Sequence, residues 1–207
     1  MTTPHPSSTS DPLQQSLFLK ACRREPTDAT PVWFMRQAGR YMPEYREVRA
    51  KVSFLELCKN PDLATEVTVT AAERLGVDAA ILFADILLIL EPLGFDLEFA
   101  KGEGPVIHDP LREGKDVDRV RPVEDLGSLD YVFQAVRSIR RALRPTTPLI
   151  GFAGAPFTLA CYAIEGGGSR HYEKAKSFMY RDAGVWNVLM ERLVDGTARY
   201  LNAQVEA

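Results

Sequence analysis

The stretch that most constrains this chain runs from Asn60 to Ala84. Asn60-Pro61-Asp62 reads as a helix start: a capping side chain, a proline at the first helical position, then an acid. Leu63, Val67, Ala71 and Leu75 recur every four residues and mark one apolar face, and Gly76 follows as a stop. Then comes Asp78-Ala-Ala-Ile-Leu-Phe-Ala84, an unbroken apolar run of strand length. A helix halted by glycine and followed at once by such a strand is the mark of an α/β unit with a buried parallel sheet.

The same alternation recurs. Pro31-Val-Trp-Phe-Met35 reads as a buried strand after a Pro/Thr/Asp cluster. Ser128 precedes Leu129, Val132, Phe133, Val136, Ile139 and Leu143, the spacing of an amphipathic helix. Arg144-Pro145 breaks it, and residues 149–153 form the next strand. Residues 95–107 read as a small hairpin. Gly166-Gly-Gly-Ser169 is a loop that suits a lid, an anion cradle or a plain linker; helices are expected from about His171 and from Ala183 onward. In the last, Val185, Leu189, Leu193, Thr197 and Leu201 stand four apart. Three barrel-type strands result (31–35, 79–84 and 149–153), whereas a closed (β/α)8 barrel needs eight strands and about 250 residues. The expected architecture is therefore the opening part of such a barrel.

Composition narrows the function classes. Lys+Arg 25 against Asp+Glu 28 gives a net charge of −3, which argues against a basic nucleic-acid-binding face. Cys22, Cys58 and Cys161 are odd in number and far apart, so neither a disulfide framework nor a cysteine zinc site follows; free thiols in a cytoplasmic protein are expected. His5, His108 and His171 form no metal-binding pair. The first 12 residues, rich in Ser, Thr and Pro, read as a disordered tail rather than a secretory signal. The longest apolar run, Ala79 to Leu90, is too short for a membrane span and is interrupted by Asp85.

Three places lie just past expected strands, where a (β/α) fold carries its active site. Arg36-Gln37-Ala38-Gly39-Arg40 sets two guanidiniums four apart around a small core; they suit carboxylates, or else bridge to Glu44 or Glu47 on the surface. Asp85 is a lone carboxylate in an apolar run, either capping the segment that starts at Ile86 or facing a cleft. Tyr162 follows the small-residue segment Gly151-Phe-Ala-Gly-Ala-Pro-Phe-Thr-Leu159; it either lines a cavity or packs in the core. Two arginines, one carboxylate and one phenol suit a polyanionic ligand with N–H donors.

These segments resemble uroporphyrinogen decarboxylases. Residues 31–45 (PVWFMRQAGRYMPEY) look like that family's signature, 151–159 like its second one, and 83–87 (FADIL) like the segment bearing its key aspartate. The resemblance implies a TIM (β/α)8 barrel, here truncated after about three barrel strands and occupying residues 13–207. It implies a cytoplasmic homodimer that uses neither metal nor organic cofactor, and binds neither nucleic acid nor membrane. It implies removal of the four acetate carboxyl groups of uroporphyrinogen to give coproporphyrinogen. Asp85 would sit under the macrocycle, accept the pyrrole N–H bonds and stabilise the cation formed on ring protonation. Arg36 and Arg40 would bind substrate carboxylates, with Arg36 also a candidate proton donor. Backbone amides of Gln37, Ala38 and Gly39 would help hold the substrate, and Tyr162 would hydrogen-bond one of its side chains. The family's substrate-contacting serine and histidine would lie beyond Ala207, so low stability and little turnover are expected of the 207 residues alone. Competing readings are a related barrel methyltransferase using zinc, against which the Arg36–Arg40 motif speaks, and a non-catalytic porphyrinogen-binding fragment.

Overall fold

The structure is a computed structural model that describes residues 11–100 and 104–207. Ten of the residues expected to form the N-terminal tail, 1–10, lie outside the described residues, as does the hairpin tip at 101–103. Asp11 caps a short 3-10 turn, Pro12–Gln15, by accepting the Leu13 N–H at 2.9 Å. Helices α1 (Leu17–Cys22), α2 (Pro43–Arg49) and α3 (Phe54–Lys59) follow, the last closed by a reciprocal box between Ser53 and Glu56.

Helix α4 (Pro61–Leu75) matches the expectation closely. The Asn60 side chain accepts from the Asp62 and Leu63 N–H groups, and Gly76 ends the helix in the left-handed region at φ 62°. Strand β1 (Ala80–Ile81) comes next, and β4 (Leu149–Ile150) pairs with it in parallel, Ala80 opposite Leu149. Between them lie the antiparallel hairpin β2 (Leu97–Ala100) and β3 (Gly104–Ile107), and helix α5 (Asp130–Ala142). Helices α6 (Pro156–Glu165), α7 (Glu173–Arg181) and α8 (Ala183–Glu206) complete the described chain.

Parallel strands joined through a packed helix make the α/β barrel class, with α4 packed on β1 and α5 on β4. One large core holds Leu87–Leu90, Leu129, Ile139, Leu159, Leu193 and Tyr200. A satellite core of Met42, Tyr45, Val48, Leu57, Val67 and Ala71 seats α2 on α4.

Three expectations need correction. Residues 31–35 form no strand: Val32 only accepts the Asp78 N–H (2.8 Å) and donates to the Asp78 carboxylate (2.7 Å). The run is apolar but not buried, with Val32, Phe34 and Met35 at 50, 49 and 76% exposure. The two parallel strands are also shorter than expected, two residues each in the ladder, because only one side of each is paired. On α8 the four-residue spacing misplaces the inner face. A four-residue step overshoots a helical turn by about 40°, so the stripe drifts off the core. Leu201 is exposed, and the buried positions are Trp186, Leu189, Leu193, Gly196, Thr197, Tyr200 and Gln204.

Candidate functional site

The Arg36–Arg40 segment is a loop leading into α2. Its anchor is Gln37, 2% exposed, whose side-chain Nε2 donates to the Ala79 carbonyl at 2.8 Å and whose Oε1 accepts the Ile81 N–H at 3.2 Å. The glutamine thus takes the place of a paired strand residue along β1. Its role was not legible in the sequence, where a glutamine between an arginine and an alanine carries no burial signal.

The loop's carbonyls and amides are used asymmetrically. Gly39 C=O accepts the Met42 N–H at 2.9 Å, Arg40 C=O accepts from Arg46 at 2.9 Å, and Gln37 C=O accepts the Tyr41 hydroxyl. Among the described residues, the N–H groups of residues 36–41 donate to nothing. The guanidiniums of Arg36 and Arg40 are likewise unpaired among the described residues: Glu44 bonds Arg74 instead, at 3.0 Å, and the expected alternative of bridges to Glu44 or Glu47 does not form. Unpaired among the described residues, these donors and the two cations give the short loop an electropositive character. Gly39 lies against the Tyr41 ring, which a Cβ would approach to 3.2 Å.

Asp85 sits just past β1, on the turn into the buried Leu87–Leu90 segment. One carboxylate oxygen accepts the Leu87 N–H at 2.8 Å, so the capping alternative is realised. Burial pushes the Asp85 carboxyl above the usual carboxylate range, and the Leu87 N–H only partly opposes this. An aromatic seam walls this region: Phe83 stacks on Tyr45 (5.7 Å) and Phe54 (5.9 Å), and Phe54 on Phe99 (4.7 Å). Since Tyr45 belongs to α2, the seam ties the helix after the arginine loop to the strand that delivers Asp85.

The small residues after β4 admit a neighbouring element, as expected. A Cβ on Gly154 would meet the Ile86 carbonyl at 3.1 Å and Leu159 at 2.6 Å, so only glycine lets 151–155 close on the Asp85 turn. Tyr162 lies on α6, half-buried, its hydroxyl unbonded among the described residues. Burial raises its phenol most, with smaller contributions from Tyr172 and Asp85. No hydrogen bond or ion pair among the described residues joins Asp85, Tyr162 and the two arginines to one another. Cys58, buried on α3, also feels Asp85; burial drives its thiol far up, so it is inert rather than a nucleophile. No three His, Cys, Asp or Glu residues among those described converge on a metal-sized site.

The sequence model of the family described as "Uroporphyrinogen decarboxylase (URO-D)" matches residues 13–207. A relative named uroporphyrinogen decarboxylase from Sorangium cellulosum is 60% identical over 190 residues, covering 92% of this chain and 54% of its own length. One of the same name from Roseiflexus sp. is 53% identical over 195 residues, covering 94% of this chain and 56% of its own. The chain thus spans about half the length of the curated relatives it matches. Among solved structures, a methyltransferase from Methanosarcina mazei superposes with TM-score 0.72 at 21% identity, covering 92% of this chain and 56% of that one, a likeness of fold alone. On the strength of a match from residue 13 to the last, the chain belongs to the uroporphyrinogen decarboxylase family.

Proposed function

We propose that the protein to which these residues belong removes the acetate carboxyl groups of uroporphyrinogen, giving coproporphyrinogen and carbon dioxide. The observation that carries this reading is the 36–41 loop, whose two guanidiniums and main-chain amides find no partner among the described residues and so suit a ligand with eight carboxylates. Arg36 and Arg40, with the amides of Gln37, Ala38 and Gly39, hold those carboxylates. Asp85 has one oxygen committed to Leu87; the other accepts pyrrole N–H bonds. Tyr162 donates to a substrate side chain.

The chemistry needs an electron sink. A proton adds to the pyrrole carbon bearing the acetate arm, leaving a cation on the ring. The C–C bond to the carboxylate breaks, its electron pair neutralises the ring, and carbon dioxide leaves. A second proton on the exocyclic carbon restores the pyrrole with a methyl group. A fixed carboxylate in an apolar setting stabilises the intermediate cation more than water does, which is the role given to Asp85. Arg36 is the candidate proton donor.

Homodimerisation belongs to this proposal, and the exposed apolar Val32, Phe34, Met35 and Tyr41 beside the arginine loop support it. A cytoplasmic location does too, supported by the free thiols; no helix among the described residues is long and apolar enough to cross a membrane. The test is to extend the chain with the second half of the Sorangium cellulosum relative, supply uroporphyrinogen III, and separate the porphyrins after oxidation. Coproporphyrin is expected, and Asp85→Ala is expected to abolish it; undiminished decarboxylation by the alanine variant rejects the assignment.

A further inference from the structure

Successive amides of a strand point to opposite edges, and β1 has a strand partner on one edge only among the described residues. Toward β4 the Ala80 N–H donates to the Pro148 carbonyl at 2.9 Å and the Leu82 N–H to the Ile150 carbonyl at 3.0 Å. On the other edge two side chains stand in for a strand. The Ile81 N–H reaches Gln37 Oε1 at 3.2 Å, and the Phe83 N–H reaches the Thr68 hydroxyl oxygen at 3.0 Å. Thr68 belongs to α4, is 1% exposed, and donates its own proton to the Ala64 carbonyl one turn back at 2.7 Å. With that proton committed to the helix, the oxygen offers the strand only its lone pairs. The Phe83 bond is the last that a main-chain N–H makes before Asp85 among the described residues. Ala84 alone separates Phe83 from Asp85, whose carboxylate is held from the other direction by the Leu87 N–H.

We propose that Thr68 is a positioning residue for Asp85: its hydroxyl pins the outgoing end of β1 to α4 and so fixes where the carboxylate meets the ring. Thr68 acts through Phe83 and Ala84 and touches no substrate. Gln37 holds the arginine loop to the same edge of the same strand two residues earlier, so the loop and the carboxylate share one frame. The work then divides between them. The loop's donors bind carboxylates of substrate and transition state alike, whereas the charge on Asp85 counts most as the ring becomes cationic. This rests on the role given to Asp85 under Proposed function, and deepens it by naming what holds that carboxylate in place.

The experiment uses the chain extended as under Proposed function, with kcat and KM for uroporphyrinogen III measured beside thermal unfolding. Three variants separate the oxygen from the bulk. Thr68→Val keeps the shape and removes the acceptor. Thr68→Ser keeps the acceptor and removes a methyl group. Thr68→Ala differs from the serine variant by the oxygen alone, and takes the place of valine should that variant misfold. Loss of the acceptor is expected to lower kcat about 10-fold with KM within about twofold, since a misplaced charge that acts on the transition state leaves ground-state binding intact. Thr68→Ser is expected to hold kcat within about twofold of the parent although it melts lower. If the variants without the oxygen turn over as fast as the serine variant, if KM rises as much as kcat falls, or if kcat follows the melting temperature whatever the oxygen, Thr68 is a packing residue and this inference alone fails. If the folded parent leaves uroporphyrinogen unchanged, or Asp85→Ala decarboxylates undiminished, the reading under Proposed function fails and takes this one with it.

Discussion

Gln204 and Phe152 exchange two hydrogen bonds: the Phe152 N–H reaches Gln204 Oε1 at 3.0 Å, and Gln204 Nε2 reaches the Phe152 carbonyl at 2.9 Å. A side-chain amide at the end of α8 thus reproduces the pattern of a neighbouring strand just beyond β4. Gln37 does the same along β1 with Ala79 and Ile81. Two glutamines, far apart in sequence, pair backbone that the short sheet leaves open.

Replacing either glutamine by leucine should therefore be costly despite similar volume. Each loses two hydrogen bonds and strands a buried amide and carbonyl, for about 2–3 kcal/mol. Urea unfolding checks this, and a change under about 0.5 kcal/mol for both would show the clamps to be idle. Gly151→Ala should imitate Gln204→Leu, since its Cβ would come within 2.5 Å of the Gln204 Oε1.

Two further glycines separate backbone strain from crowding. Gly76 lies at φ 62° with nothing within 4 Å of an added Cβ, so Gly76→Ala should cost about 1 kcal/mol from conformation alone. Gly154→Ala meets Leu159 and the Ile86 carbonyl, and should cost about 1–3 kcal/mol while displacing the Asp85 turn. Comparing both by thermal unfolding, with porphyrin binding measured alongside, should show that only the second weakens the ligand.

Asp85 makes stability depend on pH in a defined sense. Its carboxyl is raised in the folded chain by burial, so folding favours the protonated form. That contribution is complete below the ordinary carboxylate range and fades as pH climbs through the raised folded value. Asp85→Asn keeps an acceptor for the Leu87 N–H and removes the charge. It should melt higher than the parent near neutrality, converge with it in mild acid, and lose porphyrin-dependent chemistry. A variant less stable than the parent at neutral pH would contradict this.

Thiol reactivity should be confined to one site. Cys22 is exposed, while Cys58 and Cys161 are buried with thiols raised by that burial. A chromogenic disulfide reagent should label one cysteine in the native chain and three after denaturation; fast native labelling of Cys58 would show the α3 packing to be loose.

Much of the fold was legible in the residues. Asn60, Pro61 and Gly76 bound α4 as written, because caps and stops are local chemistry. The strand after it, the hairpin and helices α5, α7 and α8 were likewise readable, whereas α6, which carries Tyr162, was not read as a helix. What failed depended on distant partners. Residues 31–35 carry strand-like side chains, yet backbone pairing is a property of two segments, and here only Val32 finds Asp78. On α8, a spacing of four runs through Leu189 and Leu193 to Leu201, and helical geometry turns the last of these outward. In the candidate site, Asp85, Tyr162 and the arginine loop were marked by charge or glycine in apolar surroundings. The anchoring role of the Gln37 side chain was not, since a buried amide has no signature until its neighbours are in place.

The open amides of residues 36–41 have a consequence for how this region tolerates change. Donors that belong to the main chain survive almost any exchange of side chain, so drift at Ala38 or Tyr41 would leave the proposed anion grip in being. Only proline, which deletes an N–H, or a change that unseats Gln37 and lets the peptide wander, strikes at the recognition itself.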